Sequence, residues 1–155
     1  MYFFSNFHFF FAFQPSQIIL GIVANSVYHG DLNKNPFCFT DHGLTFAALY
    51  VNGRTFPSPE GFHLSVPNGQ YLDAYTAAFK HMPHMHSLTS LGFRYGSFLL
   101  VFDLDTTPGT DNGVVSAKFE FAASLDQTYS VLALATFNED MYCDLHRNFS
   151  FSYTP

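Results

Sequence analysis

Between Val115 and Phe121, apolar Val115, Ala117, Phe119 and Phe121 alternate strictly with polar Ser116, Lys118 and Glu120. A period of two puts one set on each face of a pleated strand, so this segment reads as a strand with one buried and one wet face. Phe149, Phe151 and Tyr153 alternate with Ser150 and Ser152 in the same way. Gly96 to Asp103 is instead continuously apolar and short, the mark of a strand covered on both faces.

The remaining elements follow from apolar runs and their punctuation. Gln17 to Ala24 lies between Pro15 and Asn25 and reads as a buried strand. Leu44 to Val51 is a second, followed by Asn52-Gly53. That dipeptide tolerates positive φ at both turn positions, which predicts a tight hairpin into Arg54, Thr55 and Phe56. Pro57 and Pro59 then end the pairing, because proline cannot donate to a ladder. After a loop over 57–69, Asn68 is placed to cap a helix starting near Gln70. Tyr71, Ala74, Tyr75, Ala78 and Phe79 share its apolar face, and Pro83 ends it. Pro108-Gly109 and Asp111-Asn112-Gly113 mark a further loop. Tyr129 to Phe137 reads as a strand, and so does Met141 to Leu145 after a turn at 138–140.

Six to eight strands, with a single helix in a long connection, predict an all-β fold: an antiparallel jelly roll or β-sandwich. Parallel crossovers would require a helix between most strands. The domain reading is an atypical apolar N-terminal tract over 1–13 and a jelly-roll domain over 14–155. The tract is too short to span a bilayer, and it lacks the basic region and cleavage site of a signal peptide.

Composition narrows the function. Hydrophobic residues make up 48% of the 155 and charged residues only 12%, about half the usual share. Such a chain has much surface to hide in a core or against other chains. With 21 Phe, 9 Tyr and no Trp, the aromatic content points to packing rather than to sugar stacking. The six basic residues (Lys34, Arg54, Lys80, Arg94, Lys118 and Arg147) are scattered and the net charge is −6, which argues against a phosphate-binding surface. Cys38 and Cys143 are too few for a disulfide framework and read mainly as separate thiols.

Candidate chemistry is sparse. His81, His84 and His86 are the one possible metal cluster, for zinc or copper. The His84-Met85-His86 pair resembles the HxH of cupins, but Ser90 and Leu91 stand where a cupin places its glutamate. The plainer reading is a solvent-facing loop whose histidines complement a helix C-terminus. Asp103 and Asp105 would suit acid–base or calcium chemistry, but they read more simply as the end of a strand. Nucleophile and phosphate-loop motifs are absent. Asn148-Phe149-Ser150 is a glycosylation sequon, relevant only to a secreted chain. No catalytic residue and no cofactor are expected, nor is a nucleic-acid or membrane partner.

The stretch NPFCFTDHGLTFAALYVNG over 35–53 resembles a segment of the major capsid proteins of Maverick/Polinton elements and adintovirus-like viruses, which also persist as virus-derived genes in animal genomes. Further matches keep the same order. They are QIILGIV at 17–23, the helix holding Tyr71, GSFLLVFDLDTTPG at 96–109, NGVVSAKFEFAASLDQTYSVLALATFNED at 112–140, and the His146-Arg147-Asn148 step. The resemblance covers about residues 14–155 and rests on the ordered series, since no single motif in it is catalytic or specific. It implies the C-terminal barrel of a double jelly-roll protein whose trimers build pseudo-hexagonal capsomers, without cofactor or active site. The family chain is much longer, so the resemblance also implies an incomplete barrel that self-associates through exposed edges. Residues 1–13 and the histidine loop over 81–95 depart from the family pattern. A capsid role places the chain in virions or inside cells. The alternatives are a secreted β-sandwich that binds a glycan or receptor, and a histidine-metal β-barrel enzyme.

Overall fold

The computed structural model describes residues 3–10, 15–82, 87–104, 114–137, 139–143 and 149–153. The fold is all-β, with two antiparallel sheets packed face to face. The first sheet contains β1 (Phe3–Phe10), β3 (Leu44–Val51), β4 (Arg54–Phe56), β5 (Phe62–His63) and β7 (Val114–Phe121). Its order is β1-β7-β3-β4, with β5 also pairing with β3. The second sheet contains β2 (Gln17–Ala24), β6 (Leu100–Asp103) and β8 (Tyr129–Thr136), in the order β6-β2-β8.

This is jelly-roll connectivity. Two Greek keys wrapped together order one sheet second–seventh–fourth–fifth and the other first–eighth–third–sixth. Counting β1 as the second strand, β7, β3 and the β4/β5 edge fill the seventh, fourth and fifth places of the first sheet. In the second sheet β8, β2 and β6 fill the eighth, third and sixth. The first place, outside β8, holds no strand among the described residues.

Residues of both sheets supply the core. Ile18, Leu20 and Ile22 of β2 alternate inward, as do Val115, Ala117, Phe119 and Phe121 of β7. Phe62 of β5 meets Phe102 of β6 across the sandwich, ring centroids 5.4 Å apart. Leu100, Val101 and Phe102 are all buried, as expected for a strand covered on both faces. That strand is shorter than the apolar run predicts. Residues 96–99 instead run beside Phe39, whose N–H donates to the Gly96 carbonyl and whose carbonyl accepts from the Phe98 N–H.

The Asn52-Gly53 hairpin forms as the sequence predicts, with φ of 49° and 78° at the two turn residues. The helix begins later than expected, as α2 (Leu72–His81); it follows α1 (Asn25–Tyr28), a single turn. Asn68 does not cap α2: its side-chain amide donates to Ser65 Oγ at 2.8 Å, inside a tight turn over 66–68. A third helix, α3 (Ser90–Arg94), falls within the loop read over 81–95. Its local signal was Thr89, whose hydroxyl accepts from the Gly92 N–H at 3.1 Å.

Phe3–Phe10, set apart by sequence as an atypical tract, pairs along its whole length with β7. The physical reason is an alternation that the many phenylalanines obscure. Phe7 and Phe9 pack on the core, whereas Asn6 and His8 are exposed. β9 (Glu139–Cys143) and β10 (Phe149–Tyr153) form a separate two-stranded sheet. The predicted loop marked by Pro108-Gly109 and Asp111-Asn112-Gly113, and the sequon residue Asn148, lie outside the described residues.

Candidate functional site

Of the metal candidates, His81 alone lies among the described residues. His81 ends α2, and its Nδ1 lies 3.5 Å from Asp103 Oδ2 at the end of β6. This contact joins the helix to the second sheet and becomes an ion pair when the imidazole is protonated. His84, His86 and Asp105 lie outside the described residues. No group of three or more potential metal ligands occurs among the described ones. Cys38 is an exposed free thiol, and the side chain of Cys143 is not among those described. Among the described residues, no helix is long and apolar enough to cross a membrane.

A polar cluster that the sequence reading missed sits where β8 begins. The His42 ring lies against the Tyr129 ring, and the Thr40 hydroxyl is 3.2 Å from His42 Nε2. Tyr129 Oη donates to Asp126 Oδ1 at 2.7 Å. Burial pushes the His42 imidazole below its ordinary value. Its hydrogen bond with the Ile22 backbone and the carboxylates of Asp41 and Asp126 oppose this only in part. Burial, then the hydrogen bond to Asp126, raises the Tyr129 phenol. Nothing in the sequence pairs residues 42 and 129; only the fold sets the 42–44 turn beside the start of β8. The cluster's ring contact joins the loop before β3 to the start of β8.

Beside this cluster the sandwich is open. A cavity of about 220 Å³ lies between the edge strand of each sheet. Ser5 and Phe7 of β1 line one wall, and Tyr129 and Val131 of β8 the other. Ile22, Phe121 and Leu125 line the rest of its apolar surface. In β8 the alternation is weak: the strand is half-buried to exposed, and Leu134, with Phe137 just beyond the strand, is an exposed large apolar residue. No residue of β8 is charged.

The described residues thus place an uncharged strand edge beside an apolar cleft. No protein-family model, curated protein or solved structure matches this chain.

Proposed function

We propose that this protein is a structural, shell-building module, similar to the C-terminal barrel of a Maverick/Polinton-type double jelly-roll capsid protein, and that it acts by subunit packing without catalysis. The observation that carries this reading is the strand order, β1-β7-β3-β4 over β6-β2-β8, which is jelly-roll wrapping ending in an uncharged strand that no other strand among the described residues covers. Sheets of this kind present rigid edges and apolar surface to neighbouring subunits, and exposed edges of this length pair readily with other chains. The low charge content supports the same role, because little of the surface is built to remain solvated on its own. Self-association is part of the proposal, with trimers as the form taken in a complete capsid protein.

The test is the state of the purified 155-residue chain, followed by light scattering and electron microscopy over a wide concentration range. Discrete oligomers or curved sheets of subunits are expected. A monomer at every concentration, with binding to an immobilised glycan or receptor array, would replace this reading with the secreted binding module.

A further inference from the structure

The edge of β8 and the cleft beside it fit one kind of occupant. The Asn25 N–H bonds the Thr128 carbonyl at 2.9 Å, which sets the phase of the β2–β8 ladder. Antiparallel bonding alternates, so Ser130, Leu132, Leu134 and Thr136 direct their backbone groups to β2. Tyr129, Val131, Ala133 and Ala135 then direct theirs outward, where no strand lies among the described residues. The side chains of Tyr129, Val131 and Ala135 pack against the core, on the cleft side of the sheet. A strand hydrogen-bonded to this edge would therefore carry, on the residues that bond β8, side chains directed to the same side.

The cleft selects the chemistry of those side chains. Its nine lining residues carry no formal charge, and its apolar walls are Phe7, Ile22, Phe121, Leu125, Tyr129 and Val131. A volume of about 220 Å³ has room for aliphatic side chains, and its lining offers a charged one no opposite charge. The jelly-roll order independently calls for a strand at this place, antiparallel to β8.

We infer that the β8 edge and the β1–β8 cleft accept an extended strand from another polypeptide, antiparallel to β8, uncharged, and bearing an aliphatic side chain at every second residue. This is strand addition to a sheet edge: main-chain bonds supply affinity and alternate side chains supply selectivity. It rests on the topology and the cleft, and stands whether or not the module builds shells.

The experiment uses the intact chain and a labelled synthetic peptide alternating Val or Leu with Thr, read by fluorescence anisotropy. Two further peptides carry backbone N-methyl groups, one set on the Val/Leu residues and the other on the Thr residues. Methylating the Val/Leu residues removes the N–H groups that face β8, and affinity falls by about tenfold or more. Methylating the Thr residues leaves binding within about twofold, since those N–H groups point away. Ala133→Pro weakens binding of the parent peptide, because it takes an outward N–H from β8 and leaves the β2 ladder intact. If a second copy of the chain already fills the edge, the peptide dissolves the resulting oligomer as it binds. Absence of saturable binding, or equal binding by the two methylated peptides, overturns the inference; the latter would reduce the cleft to a nonspecific greasy surface.

Discussion

The His42 imidazole and the Tyr129 phenol ring lie 4.3 Å apart, centroid to centroid, at an interplanar angle of 50°. This contact fastens the loop that precedes β3 onto the start of β8. It depends on a neutral imidazole, because burial is the main influence on His42 and penalises its charged form. The folded-state pKa lies below the ordinary 6.5, so the unfolded chain binds more protons in the window between the two values. Stability from this residue is therefore complete above 6.5 and declines as pH falls toward the depressed folded value. Urea titrations across that range should show a smaller loss of stability in His42→Asn than in the parent. Asn is chosen because residue 42 has φ of 47°, which Asn tolerates. An identical pH slope in the two proteins would rule out His42 as the titrating group.

Gly21 sits in the middle of β2 with the Phe39 ring over it. A Cβ on Gly21 would lie 2.7 Å from Phe39 Cδ1 and 3.1 Å from Leu99 Cδ2. Gly21→Ala should destabilise the fold by about 1–3 kcal/mol, the usual range for overpacking. In a Phe39→Leu background the same change should cost less, since the two residues share one space. Chemical denaturation of the four proteins measures this, and additive costs would show that the ring does not govern the site.

Phe93 is fully buried at the junction of α2, α3 and residues 96–99. Its ring centroid is 5.1 Å from Phe98, 5.5 Å from Tyr75 and 6.4 Å from Tyr71. Phe93→Ala should cost about 3–5 kcal/mol, as for other deleted core rings. Phe79→Ala, at a position 37% exposed on α2, should cost markedly less. Thermal unfolding of both variants tests the assignment, and equal losses would contradict it.

At Gly53 a Cβ would meet nothing within 4 Å, yet φ is 78°. Gly53→Val therefore isolates backbone strain from packing and should cost about 1–2 kcal/mol. Asn52→Gly should be nearly neutral, because glycine suits that turn position as well. A neutral Gly53→Val, seen by denaturant midpoint, would mean that the turn relaxes to another type.

Local pattern made β2, β3, β4, β7 and the Asn52-Gly53 turn readable, because period-two alternation, buried apolar runs and turn chemistry are properties of neighbouring residues. β1 was harder to read, because phenylalanine on both faces hides the alternation at its ends. The start of α2 was misplaced, because Asn68 bonds within its own turn rather than to the helix. Of the candidate site, sequence offered the scarcity of charge on Tyr129 to Phe137, but it read that strand as an ordinary one. Of its histidine cluster, the described residues include His81, which lies beside Asp103.

The order of polar and apolar side chains by itself determined that this chain is a layered, all-β protein, since each strand's buried face follows from its own residues. Only the tertiary structure decided which strands adjoin, that His42 meets Tyr129, and that no strand among the described residues lies beyond β8, beside a cleft. Those relations join residues many positions apart, and strand pairing is set by the packing of whole sheets.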